Sequence, residues 1–243
     1  MRYRHPSIIE AICEFTFRPE VPWDPTVFGR FYERVKDEFE IKEHGEVIET
    51  ILDHAAGGLG RQVRKAPRMR FFAKDRSHLT QVSEHLLAVN VLAPYPHWAE
   101  FKRLIFLAVK AYDESAGQTR LNRTVLRYID RFEFDEKPFR MGDWFDCSGR
   151  YFPSLLAPVD SQATYRLRFP RSEQEHFSIS VEMRTEASGK RTVILDTEIV
   201  SFEIQVADRS VEDQLDSMHS AVIDAFENCI TDKTREKLQP EQQ

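Results

Sequence analysis

Cysteine is scarce in this chain. Cys13, Cys147 and Cys229 are three residues in 243, far apart and odd in number. They provide no disulfide framework and fit a reducing compartment. The eight histidines do not cluster into a His-x-His or His-Glu-x-x-His pair, and no Cys-x-x-Cys accompanies them, so zinc-ligand spacing is absent. No Gly-x-Ser-x-Gly elbow occurs, which removes that hydrolase arrangement. No stretch approaches the roughly 20 apolar residues needed to cross a bilayer; Leu104 to Val109 is the longest. The start, Met1-Arg-Tyr-Arg-His-Pro, lacks the apolar core of a signal peptide. Basic excess is missing too: 34 Lys and Arg stand against 40 Asp and Glu, a net charge of −6. That balance argues against a nucleic-acid coat, which needs a surplus of cations to meet phosphates. The expectation is a cytoplasmic protein without a membrane segment or a nucleic-acid partner.

Aromatic and aliphatic residues are plentiful, and 18 of the rings are Phe, so a packed core rich in phenyl groups is expected. Ala11, Cys13, Phe15 and Phe17 alternate with Glu10, Glu14 and Thr16, a period of two that predicts a strand over 8–17. Asp24-Pro25 reads as a helix start. Val27, Phe28, Phe31, Tyr32, Val35 and Phe39 then recur at helical spacing over 25–38. Strands are expected at 46–52, 69–73 and 80–92, with a glycine-containing loop over 55–67. Trp98, Phe101, Leu104, Ile105, Ala108, Val109 and Tyr112 mark a second helix that stops near Gly117.

Further strands follow at 124–134, 164–169, 177–184 and 192–206, the last with a phase shift near Ser201 of the kind a β-bulge causes. A short turn is read at 141–147. Ser210 with Asp213 reads as the cap of a long final helix over 211–236, and a frayed polar tail is expected over 233–243.

Two strands share a pattern: Ile12-x-x-Phe15-x-Phe17 and Ile129-x-x-Phe132-x-Phe134. Each is followed by Pro, Trp and Asp, then by a helix or turn, three strands and a long helix. The chain therefore reads as two halves, 1–120 and 121–243, each β-α-β-β-β-α, joined in one body. The fold class is α+β, with antiparallel sheet covered by long helices.

Several strings resemble a sporadically distributed, uncharacterised bacterial family. They are Pro6-x-x-x-Glu10-Ala11-x-Cys13-Glu14-x-x-Phe17, Trp23-Asp24-x-Thr26-x-x-Gly29-x-Phe31-Tyr32, and Gln81-Val82 with Val89-Asn90. Tyr95-x-x-Trp98-x-x-Phe101 and Leu126-Arg127-Tyr128-Ile129-Asp130-Arg131 complete the set. The resemblance is clearest over residues 3 to 135 and carries no catalytic assignment. The family's usual string is closer to Arg-Tyr-Ile-Asn, so Asp130 places a carboxylate where an amide is customary. Sporadic distribution implies mobile or defence-associated genes.

The strands carry many charges on their non-core faces: Arg127, Arg131, Arg166, Arg168, Arg184, Glu10, Glu14, Glu133, Glu182, Asp196 and Glu198. An ordinary solvated sheet face accounts for them. The sharper reading is a polar concave face that takes an anionic ligand through arginine's fixed fork of donors, with Arg127, Asp130, Arg131, Arg166, Arg168, Glu182 and Arg184 as its residues. Asp130, beside Arg127 and Arg131, reads as their charge partner or as a general base.

Glu38-Phe-Glu40-Ile-Lys42 resembles the acid-and-lysine signature of the triphosphate tunnel enzymes, where carboxylates hold a hard metal ion. Its place at a helix end favours a plain charged terminus. Gly57-Gly58-x-Gly60-Arg61, with Arg64, Lys65, Arg68 and Arg70 behind it, is neither a Walker A loop nor a dinucleotide fingerprint. No cofactor is implied by any motif.

The function expected is a non-catalytic ligand-binding or protein-interaction component of a bacterial system, with an unidentified protein or an anionic small molecule as partner. A homodimer is compatible with the composition. The competing reading is a metal-dependent phosphohydrolase or nucleotidyl enzyme working on the polar sheet face, so the sequence leaves open whether the chain is an enzyme.

Overall fold

The computed structural model describes residues 3–19, 22–55, 58–117, 119–146, 163–186, 188–202 and 211–241. Among these residues, nine strands and five helices make an α+β fold. The first half runs β1 (Ile8–Pro19), α1 (Val27–Val35), β2 (Ile41–Ala55), β3 (Gly58–Phe72), β4 (His78–Val82), β5 (Leu86–Leu92) and α2 (Trp98–Ala116). The second runs β6 (Thr119–Phe134), α3 (Met141–Trp144), β7 (Ala163–Pro170), β8 (Glu175–Thr185), β9 (Arg191–Phe202), α4 (Val211–Cys229) and α5 (Asp232–Leu238). The strands form one sheet in the order β2-β3-β4-β5-β1-β6-β9-β8-β7.

Sequence neighbours pair antiparallel, from Ile41↔Phe72 in β2–β3 to Glu175↔Ser201 in β8–β9. β1 and β5 also run antiparallel. Phe17 N–H donates to His85 O and Ala93 N–H to Ile9 O, so one number rises as the other falls.

The period of two in β1 is realised: Ala11, Cys13, Phe15 and Phe17 are buried. So is the helical period of α1, which buries Val27, Phe31 and Val35. Two compact units divide the chain. One comprises Cys13–Val91 and Pro96–Thr124. There Phe31 and Tyr32 each lie 5.6 Å from the Phe71 ring. Phe17 stacks on Tyr112 at 4.6 Å. The Arg30 guanidinium donates twice to Ser115 O, placing a cation on the carbonyl end of α2, where the helix dipole favours it.

The other unit comprises Met1–Ile12, Leu92–Tyr95 and Val125–Gln243. The first twelve residues thus group with 92–95 and with 125–243. Its core gathers Phe132, Phe134, Trp144, Phe145, Val181 and Leu195 with residues of the C-terminal helices. The N-terminal stretch is fastened here: Arg4 N–H donates to Gln239 O, His5 N–H to Leu238 O, and the Tyr3 hydroxyl to the Glu227 carboxylate.

Four boundaries differ from the sequence reading. The expected loop over 55–67 is strand: β2 and β3 stay in register out to Ala55↔Gly58, because a short connection suffices for antiparallel neighbours. The single strand expected over 80–92 is two, folded at Ser83-Glu84-His85, where Ser83 N–H donates to Leu86 O. No glycine or proline announces that turn, and the first half consequently holds one strand more than the expected pattern. The final helix breaks after Cys229. Ile230 bridges to Phe145, and the Thr231 hydroxyl accepts from Thr234 N–H, starting α5 where a frayed tail was expected. The β8–β9 register is unbroken from Thr185↔Arg191 to Glu175↔Ser201, so no bulge interrupts that pair. Gly57, Cys147, Ser210 and the stretch 203–206 lie outside the described residues.

Phe134 is buried and packs against Trp144 at 4.6 Å, Phe139 at 5.0 Å and Phe145 at 6.1 Å. Phe134→Ala removes a ring from a close-packed site and is expected to cost about 3–5 kcal/mol. Urea unfolding should show a lowered midpoint with an unchanged slope.

Candidate functional site

β6 presents two chemistries on its two faces. Leu126, Tyr128, Asp130, Phe132 and Phe134 are buried, and Arg127, Arg131 and Glu133 alternate with them. The alternating face continues across neighbouring strands. Arg127 grips Asp196 of β9 through two bonds, Nε to Oδ1 at 2.7 Å and Nη2 to Oδ2 at 2.6 Å. Paired forks of this kind are among the stronger charge-assisted hydrogen bonds. Asp196 is 12% exposed and Arg127 33%, so the pair is only partly screened by water. The hydrogen bond to Asp196 holds the Arg127 guanidinium above its ordinary pKa, with Glu198 and Glu10 adding to the same effect.

Several other arginines on strands find carboxylates as well. Arg131 meets Glu133 at 2.7 Å, and Glu133 also takes Lys190 at 2.5 Å. The Lys190 bond, more than the nearby Arg131, draws the Glu133 carboxyl below its usual range. Arg184 holds Glu182 at 2.5 Å. Arg123 lies 3.6 Å from Glu14.

β7 is different. Arg166 and Arg168 stand across from Ser180 and Ser178 of β8, hydroxyls rather than carboxylates. Arg166 reaches Asp196 only at 4.0 Å and is 57% exposed. Arg168 is exposed, and no ion pair to it occurs among the described residues.

Asp130 departs from the sequence reading. It does not pair with Arg127 or Arg131, because successive side chains on a strand point to opposite faces. Asp130 is 2% exposed and accepts from the Ser7 hydroxyl at 2.8 Å. Burial pushes its carboxyl up to about 7; the Ser7 bond opposes that and the Asp196 charge adds to it.

Close by on the same face of β6, the Tyr128 hydroxyl lies 3.1 Å from the Tyr95 hydroxyl and 3.1 Å from Nδ1 of His219 in α4. Burial raises the Tyr95 phenol to about 12. This chain of three polar groups fastens α4 and the segment before α2 to the sheet. Sequence reasoning missed it. In the sequence Tyr128 is marked only by its place in the Leu126–Arg131 string, and His219 has no metal-type spacing to draw notice.

The acid-and-lysine string ends up divided. Glu38 follows α1 and is held by His78 at 3.1 Å and Arg103 at 2.9 Å, Glu40 is exposed, and Lys42 lies over the Tyr32 ring in β2. Among the described residues, no three His, Cys, Asp or Glu side chains gather in a way that could hold a metal ion. No protein-family model and no curated protein matches the chain.

A buried acid with a raised pKa makes stability depend on pH. The unfolded carboxyl titrates near 3.9 and the folded one near 7. Asp130 therefore favours the fold fully below pH ~4, and that contribution is lost as pH rises through about 7. The loss is up to ~1.4 kcal/mol per pH unit across the window, on the order of 4 kcal/mol in all. Asp130→Asn keeps an acceptor for Ser7 and cannot ionise. Its stability relative to wild type should climb between pH 4 and 7 in urea titrations; a constant difference would contradict the assignment.

Proposed function

We propose that this protein is a non-catalytic binding component of a bacterial cytosolic system, of mobile or defence-associated origin. It takes an anionic small molecule, or an acidic group on a protein partner, at β7. The observation that carries this reading is the contrast between β7 and the rest of the polar face. Arg127, Arg131 and Arg184 are matched closely to carboxylates, whereas Arg166 and Arg168 stand in register with Ser180 and Ser178, and Arg166 reaches a carboxylate only at 4.0 Å. Two guanidinium forks one strand repeat apart suit a phosphate- or carboxylate-sized anion.

The remaining candidates take supporting parts. Arg127 holds Asp196 in place beside Arg166. Arg131, Glu182 and Arg184 balance the surrounding charge. Asp130 keeps the inner face of β6 closed.

We also propose that the two halves are repeats of one unit. The order of the sheet supports this. Outward from the β1–β6 pair, each half places its first strand innermost and its last strand next, followed by the others in descending order. Each half contributes a 19-residue helix, α2 or α4, after its last strand.

The anion reading is tested by thermal unfolding with inorganic pyrophosphate. A ligand that binds only the folded state adds about 2.7 kcal/mol at a hundredfold excess over Kd. Wild type should show a raised midpoint, and the double variant Arg166→Glu with Arg168→Glu should show none. A wild type indifferent to the anion, or a variant that responds equally, would remove the proposal.

A further inference from the structure

Phe202 ends β9 with its side chain 42% exposed. Ser201 stands in register with Glu175, and Phe202 N–H donates to Gln174 O at 2.9 Å, which fixes the Phe202 backbone against β8. By the strand period Phe202 shares a face with Asp196 and Glu198, and not with the buried Leu195 and Ile199. Its ring stacks on His176 of β8, with centroids 5.5 Å apart and planes 30° apart. Phe169, another exposed ring, alternates with Arg168 and so belongs to the opposite face.

The registers put two guanidinium groups in line with that stack. Pro170 pairs with His176, and His176 with Val200. Two residues back along β7, Arg168 stands in the row of Ser178 and Glu198. Two further back, Arg166 stands in the row of Ser180 and Asp196. At ~3.3 Å per residue and ~4.8 Å between strands, the Arg168 backbone lies roughly 8 Å from that of His176, with Arg166 another ~7 Å along. The order along the face is ring, guanidinium, guanidinium.

The hairpin beside the stack is tied down without a ligand. Arg171 N–H and Ser172 N–H both donate to Glu175 O, and the Arg171 guanidinium pairs with the Glu175 carboxylate at 3.1 Å. A platform already held in place costs little ordering when something binds. The acids on this face do not oppose an anion equally. Asp196 is gripped by Arg127. Glu198 stands level with Arg168, between the ring and Arg166, where sugar hydroxyls can donate to a carboxylate.

We propose that the anion site of β7 takes a nucleoside diphosphate, with its base stacked on Phe202 and its phosphates on Arg168 and Arg166. An extended nucleoside diphosphate has the same order as the face: ring, sugar, first phosphate, second phosphate. Every base has a π-face, so an aromatic platform accepts purine and pyrimidine alike, and guanidinium forks suit phosphate. The proposal rests on the anion reading above and names the ligand class for it.

The test is isothermal titration of the full chain with ADP, UDP and inorganic pyrophosphate. Wild type should bind both nucleotides about tenfold more tightly than pyrophosphate, the size of advantage that stacking on one ring supplies. Phe202→Ala should bind pyrophosphate as wild type does and lose the nucleotide advantage, and Phe202→Trp should keep it. Arg166→Glu with Arg168→Glu should lose all three ligands. Nucleotides that bind no better than pyrophosphate, or an advantage that survives Phe202→Ala, would overturn the proposal and leave the anion reading standing. A wild type that binds neither pyrophosphate nor nucleotide would remove both.

Discussion

A strand repeats every two residues, and the account of this protein turns on how β6 uses that constraint. Tyr128, Phe132 and Phe134 take one side, Arg127, Arg131 and Glu133 the other. The apolar side joins Val181, Met183, Val193 and Leu195 in a core closed by residues of the C-terminal helices. On the charged side, Arg127 and Asp196 tie β6 to β9. Asp130 obeys the period although its chemistry does not suit the face it is on. A carboxyl among rings costs free energy when ionised, so it is held close to neutral with one hydroxyl partner.

That constraint explains which parts could be read in advance. Where burial imposes a clean period, as in β1, α1 and the even positions of β6, the residues spell the element. The β4–β5 turn was hidden because Ser83-Glu84-His85 interrupts the alternation without a glycine or proline. The β2–β3 ribbon was hidden for the opposite reason: glycines and basic residues suggest a loop, yet the strands stay paired out to Ala55↔Gly58. The charged face was legible as a face. Its pairings were not, since Asp196 follows Arg127 by 69 residues and only the sheet order brings them together. Asp130 was assigned to its sequence neighbours Arg127 and Arg131, when the pleat directs it away from both.

The functional proposals draw on what this pairing leaves over. Charges on the polar face pair locally at β6, β8 and β9. β7 keeps two guanidinium groups in register with serines. β7 is the last strand of the order, where a sheet has an unused hydrogen-bonding edge. The inner polar contacts Tyr95–Tyr128–His219 and Ser7–Asp130 tie β6 to the segments packed on its inner face.

The central claim is the placement of Asp130 on the inner face of β6, and its carboxyl can be read directly by carbon-detected NMR titration of selectively labelled protein. The account predicts a midpoint near 7, moving higher in Ser7→Ala because the hydroxyl that steadies the charged form is gone. A midpoint at or below ~3.9 would mean a carboxylate in water or beside Arg127 and Arg131, and would contradict the placement.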